Sequence, residues 1–235
     1  MMLRAMRADW LKLKGKGFWF LVCLGPVGLI AMQALNFGLR YDYLKKLYAD
    51  DLWGGLLDNM AVFVPIALLM GITILCSLIA NIEHNTSSWK QLLALPISRT
   101  AVFFAKFAVA VIMLGVSCVL LALGTAALGL GLGFGSPLPL ADIAKLGFYP
   151  FIAALPLLAL LLWMCLTLRN QAIPITLGVV LAVLSMFAIA EWLPLTWPLL
   201  AYKAQNQEIF LAAGALGGFI VLLAGTVHFA RRDVN

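Results

Sequence analysis

Residues 209–229, IFLAAGALGGFIVLLAGTVHF, contain no Asp, Glu, Lys or Arg. A helix rises about 1.5 Å per residue, so a stretch of this length crosses the roughly 30 Å hydrocarbon core of a bilayer. Similar apolar stretches run from about Phe18 to Phe37, Met60 to Ala80, Thr100 to Leu123, Phe148 to Leu168 and Ile173 to Ala190. Together they predict an all-α polytopic membrane protein with six transmembrane helices in one domain over residues 1–235. Composition agrees: 64% of the residues are hydrophobic and 11% are charged, against about 25% charged in a soluble domain. Mean hydropathy is +1.03.

Orientation follows from the basic residues. Arg4, Arg7, Lys12, Lys14, Lys16, Lys90, Arg99, Lys106, Arg169, Arg231 and Arg232 fall on one side of a six-span topology, and Arg40, Lys45, Lys46, Lys145 and Lys203 on the other. The richer side is expected to be cytoplasmic, which places both termini inside. Most acids lie outside: Asp42, Asp50, Asp51, Asp58, Asp142, Glu191 and Glu208, against Asp9, Glu83 and Asp233. The net charge of +6 is thus a topology signal; dispersed among spans, it argues against nucleic-acid binding. The first stretch is too long for a signal-peptide core and no convincing cleavage site follows it, so a retained span is expected.

Catalytic motifs are missing. There is no G-x-x-x-x-G-K-[ST], H-E-x-x-H or G-x-S-x-G, and His84 and His228 are the only histidines. No catalytic residue, no cofactor and no metal site is expected in this chain. Cys23, Cys76, Cys118 and Cys165 fall in four different spans and read as small buried hydrophobes. The span interiors carry only mild polar groups, Gln33, Asn36, Thr73, Ser77, Ser117, Thr125 and Ser185, with Lys106 at an inner end. An ion-coupled transporter usually needs an intramembrane ionisable group, so a pump that works alone is disfavoured. Gly214 and Gly218 form G-x-x-x-G, read as internal packing. The alternating Gly129, Gly131, Gly133 and Gly135 are poor helix formers, and read as a loosened outer end after the third span.

Three segments outside the spans are informative. In the N-terminal arm, Leu3, Met6, Trp10 and Leu13 recur at helical spacing among Arg4, Arg7, Lys12 and Lys14, the pattern of a basic helix lying in the interface. Between the second and third spans stands EHNTSSWKQLLALPISR (83–99). Ser88 and Gln91 have capping-box spacing, Trp89, Leu92, Leu93 and Pro96 share a face, and Pro96 ends the helix. Ser98 or Thr100 can cap the next span. The product is a short amphipathic helix across the cytoplasmic mouth. Between the fifth and sixth spans, EWLPLTWPLL (191–200) is too apolar for a free loop and too interrupted to span. It reads as an interfacial or re-entrant piece anchored by Trp192 and Trp197, with Pro194 and Pro198 breaking it.

On these residues the chain resembles the permease subunits of ABC-2-type ABC transporters, within them most closely the lantibiotic-immunity and bacitracin-resistance type. The likeness rests on the basic arm, six spans, the text from Glu83 through Trp89-Lys90-x-Leu92-Leu93-x-Leu95-Pro96-x-x-Arg99 followed by Lys106, and the segment Leu193–Pro198. It covers the whole chain. The resemblance implies that Glu83, Trp89, Leu92, Leu93, Leu95, Pro96 and Arg99 belong to a coupling helix docking on a separate ATP-binding subunit. Arg4, Arg7, Trp10, Lys12 and Lys14 would form the elbow helix. ATP and Mg would sit on that partner, and a second permease, identical or paralogous, would complete the complex. The expected location is a bacterial cell membrane, and the expected substrate an antimicrobial peptide, for which a greasy lateral cleft suffices. The alternatives are a self-sufficient secondary drug exporter and a non-transporting sensor or scaffold for peptide antibiotics. The short tail after Phe229 and the text His84-Asn85 depart from the family pattern and leave the substrate open.

Overall fold

The computed structural model describes residues 17–85, 98–135, 137–187 and 190–231, with residues 83–85 described by backbone only. Their helices are α1 (Phe18–Leu39), α2 (Tyr41–Leu47), α3 (Leu52–Ala61), α4 (Val64–Asn85), α5 (Arg99–Gly131), α6 (Leu140–Ala153), α7 (Leu155–Thr167), α8 (Ala172–Leu184), α9 (Trp197–Lys203) and α10 (Gln207–Arg231). The fold is all-helical over these residues. α1, α4, α5 and α10 are each long and apolar enough to cross a membrane. α6 and α7 together make a fifth, bent candidate, and α8 is a shorter apolar helix. The elbow segment and residues 86–97 lie outside the described residues.

Large apolar side chains cover the outside. Phe20, Val27 and Leu35 of α1, Leu123 and Leu130 of α5, and Leu216 and Ile220 of α10 are each exposed over more than half their surface. Water would penalise such a belt; hydrocarbon does not. Inside are two clusters. One joins Phe18, Ile79, Phe103, Leu161 and Phe229; the other joins Phe37, Leu44, Trp53, Leu56, Met60 and Leu146. The helix ends that carry Phe18, Phe103 and Phe229 form the Phe18 end, and those that carry Phe37 and Trp53 form the Trp53 end.

The expected fourth span, Phe148–Leu168, is instead a pair of helices from Leu140 to Thr167, bent by 48°. Pro156 lies in the first turn of α7. It has no N–H to give to the carbonyl of Ile152, and its ring disfavours continuing the helix. α10 packs against this break. A Cβ at Gly218 would stand 2.7 Å from Leu155 Cβ, and one at Gly214 would stand 2.7 Å from Ile152 O. The G-x-x-x-G pair therefore serves internal packing: two glycines let α10 lie directly on backbone.

The third span also differs from expectation. α5 does not end near Leu123 but runs 33 residues to Gly131, about 50 Å. Packing overrides the weak propensity of glycine. The Trp53 ring occupies the space where a Gly129 side chain would be, and Ile30 does the same at Gly124. Gly133 and Gly135 then take φ of 75°, a conformation glycine adopts without steric cost. Their turn is pinned by Trp53 Nε1, which donates to Gly135 O (3.3 Å), and by Tyr41 Oη, which donates to Leu132 O (3.0 Å). Phe134 packs edge-on against both Phe37 and Trp53.

The stretch between α1 and α4 is mostly α2 and α3, which close the Trp53 end. Asp51 caps α3, accepting from Gly54 N at 2.8 Å. Asp51→Ala leaves that N–H without its acceptor, a loss of about 1 kcal/mol. The expected result is a small fall in the thermal midpoint in detergent, with membrane insertion intact. α8 covers 13 residues, about 20 Å. It ends at Leu184 rather than near Ala190, where Ser185 Oγ donates to Ala182 O (2.7 Å). It lies on α4 through Pro174, Gly178 and Ala182, with Thr73 seated over Gly178.

Candidate functional site

Between α1, α4 and α5, where the two clusters meet, lies a half-open cleft of about 200 Å³. Leu21, Pro26, Met70, Ile74, Met113 and Ser117 are among its lining residues, none of which is charged. Leu24 and Ile74, two of its lining residues, are 49% and 36% exposed, so the cleft reaches the apolar outer surface of the helices. α1 positions one wall. Its interior Pro26 is flanked by Gly25 and Gly28, and all three depart from good helix formers. Ser117 of α5 reaches across to α1, donating to Val22 O at 2.8 Å. An uncharged space open to the bilayer can accept an apolar molecule directly from the membrane.

A second, polar basin sits at the Trp53 end, lined by Asp58, Asp142, Lys145, Tyr202, Lys203 and Gln207. Lys145 pairs with Asp142 at 3.2 Å and Lys203 with Asp58 at 3.7 Å, and Gln207 Nε2 donates to Tyr202 O (2.6 Å). Desolvation, and then the Asp58 and Asp142 carboxylates, push the Tyr202 phenol up from 10.0 to about 12. The folded state therefore holds this proton more tightly than the unfolded chain. Its contribution to stability is complete below pH 10 and is lost as pH rises toward 12. Tyr202→Phe is expected to flatten the fall of the thermal midpoint over that window relative to the parent.

The residues singled out from sequence fall in different places. Glu83 belongs to the last turn of α4 by its backbone. Trp89, Leu92, Leu93, Leu95 and Pro96, with Arg4, Arg7, Trp10, Lys12 and Lys14, lie outside the described residues. Arg99 opens α5, and Ser98 caps it, accepting from Ala101 N at 3.3 Å. Trp192 is 77% exposed in a turn that also holds Pro194. Trp197 starts α9 with Pro198 behind it, and its Nε1 donates to Glu191 O at 2.9 Å. Thr196 Oγ1 donates to the carbonyls of Ala190 and Leu193, and Leu195 is buried in the core. The segment before α9 thus folds back onto the protein. His228 accepts from Trp163 Nε1 at 3.1 Å. Among the described residues no three of His, Cys, Asp and Glu come close enough to hold a metal.

Two features went unread in the sequence. Lys106, near the start of α5, is buried: it is 2% exposed, on the α5 face that also buries Phe103 and Ala110. Pro26 between two glycines marks the cleft wall, and a proline in mid-span was the signal for it.

Long apolar helices, a lipid-facing belt and a lateral cleft define a multi-pass α-helical membrane protein. The family model for ABC-2 family transporter protein matches residues 5–185, and the chain belongs to that family. No curated protein matches the chain. No solved structure matches it either. Membership makes it a membrane-spanning transport subunit and implies an ABC ATP-binding subunit as its partner.

Proposed function

We propose that this chain is the permease subunit of an ATP-driven exporter that removes amphipathic antimicrobial peptides, lantibiotic- or bacitracin-like, from the membrane. The observation that carries this reading is the uncharged cleft open to the lipid. A peptide partitioned into the bilayer enters such a space without first crossing water. In this reading α8 is the fifth of six spans, completed by the segment that folds back before α9. The Phe18 end faces the cytoplasm, where the basic residues gather, and both termini lie there. The linker around Trp89 to Pro96 forms the coupling helix, with Glu83 and Arg99 at the flanking span ends, seated on the partner that binds ATP and Mg. The arm with Arg4, Arg7, Trp10, Lys12 and Lys14 lies in the interface as an elbow helix. Trp192, Pro194, Trp197 and Pro198 form the outer re-entrant segment. Two permeases, identical or paralogous, complete the transporter in a bacterial cell membrane.

The test is reconstitution. Proteoliposomes with this chain and its ATP-binding partner are expected to move a labelled lantibiotic only when ATP and Mg are present. Movement by the chain alone, driven by a proton gradient, would instead establish a secondary exporter. Binding of the peptide with no movement under either condition would leave a sensor.

A further inference from the structure

The cleft wall contains one built polar feature, and its chemistry is lopsided. Pro26 has no N–H, so the carbonyl of Val22, four residues earlier, lacks its in-helix donor. A carbonyl left unpaired in hydrocarbon is costly. Ser117, 95 residues away on α5, supplies the missing hydrogen bond at 2.8 Å. A serine hydroxyl has one proton and two lone pairs, and a carbonyl oxygen has two lone pairs. Once the Ser117 proton is given to Val22, both oxygens retain acceptor capacity and neither has a proton left to donate. Val22, Pro26 and Ser117 all line the cleft, and no lining side chain is charged. Gly25 beside them has nothing within 4 Å of its Cβ position, so no side chain screens the pair there.

We propose that the cleft selects its occupant by an uncharged hydrogen-bond donor, an amide N–H of an apolar peptide, placed on Ser117 Oγ and the Val22 carbonyl oxygen. This rests on the reading of the cleft as the substrate site given above. It also answers a problem which that reading raises. A lipid-facing apolar space is surrounded by acyl chains, which would fill it if apolar fit alone decided. Acyl chains have no donor, whereas a peptide backbone has one at nearly every residue. Two adjacent acceptors in a dry wall separate the two.

The experiment uses full-length protein in nanodiscs of phosphatidylcholine and phosphatidylglycerol. It compares a diazirine-bearing N-decylhexanamide with its N-methyl counterpart, which has the same skeleton and no N–H. After photolysis, labelling of the peptides covering α1 and α5 is read by mass spectrometry. One neutral hydrogen bond corresponds to a preference of about fivefold for the secondary amide in the parent protein. Pro26→Ala restores a backbone donor to Val22 and frees the Ser117 hydroxyl to donate. The preference should then fall to about twofold or less. Ser117→Ala leaves the Val22 carbonyl bare, and the preference should hold or rise. A merely structural role for the pair would not separate the two variants in this way. Equal labelling by both probes in the parent, or a fall in both variants, overturns the donor proposal and leaves the apolar substrate cleft standing. Labelling of the cleft by neither probe overturns the cleft reading, and the donor proposal with it.

Discussion

Gly214→Val is expected to abolish the monodisperse folded protein in detergent. A Cβ at this position would stand 2.7 Å from Ile152 O and meet the backbone of Ala153. Overpacking typically costs about 1–3 kcal/mol when neighbouring side chains can shift. Here the neighbour is the backbone at the bend between α6 and α7, which has no rotamer to change. α10 must lift away, and the loss spreads along it. Gly218 sits on Leu155, a Cβ at Gly225 would stand 3.2 Å from Trp163 Cβ, and His228 accepts from Trp163. In a bilayer helices hold together by close packing, with no hydrophobic drive between them. A cost of about 3 kcal/mol or more is therefore a large part of a total stability of about 5–15 kcal/mol. The measurement is the monodisperse fraction on size exclusion together with the thermal midpoint. Gly115→Ala is the control: nothing lies within 4 Å of its Cβ position, and the change adds helix propensity. A Gly214→Val protein that melts with the parent would show that α10 does not rest on that bend.

The helix–bend contact also shows what a sequence carries and what it hides. Hydropathy identifies α1, α4, α5 and α10, because a run without charge needs no knowledge of its neighbours. Gly214 and Gly218 were legible for the same local reason, and so was Ser98 as a cap, since a hydroxyl three residues before a free N–H is a local pattern. The bend was hidden inside an apolar run: a hydropathy window counts Pro156 as mild and does not register its missing N–H. The extension of α5 to Gly131 was hidden because glycine reads as weakness until Trp53 and Ile30, distant in sequence, fill the space it leaves. The burial of Lys106 was hidden because burial is a property of the packed face and not of its neighbours in sequence. At the cleft, Pro26 went unread, and its consequence lay outside its own span, because the Val22 carbonyl is satisfied by Ser117 from another helix.

Leu93→Asp is expected to release the ATP-binding partner while leaving the permease inserted and folded. α4 ends at Asn85 and α5 begins at Arg99, so residues 86–98 must join the Phe18 ends of two spans that already pack against each other. Among the described residues α5 is capped by Ser98, and Phe18, Ile79, Phe103 and Phe229 pack in the core at this end. In the proposed coupling helix, Trp89, Leu92 and Leu93 would be the side chains that meet the partner. A carboxylate at position 93 would be desolvated in the partner's groove, and a buried unpaired charge is far costlier than a lost apolar contact. Trp89→Ala removes the largest anchor and should act in the same direction, more weakly. The expected loss of co-purified ATP-binding subunit is at least about tenfold for Leu93→Asp, the size of a disrupted interface hot spot, with the permease's own thermal midpoint unchanged. Glu83→Gln, at the start of the same region, should reduce export while the complex still forms. If the Leu93→Asp permease carries its partner at the parent's yield, force does not enter the spans through this segment. The ATP-binding subunit must then hold the permease elsewhere on the Phe18 end.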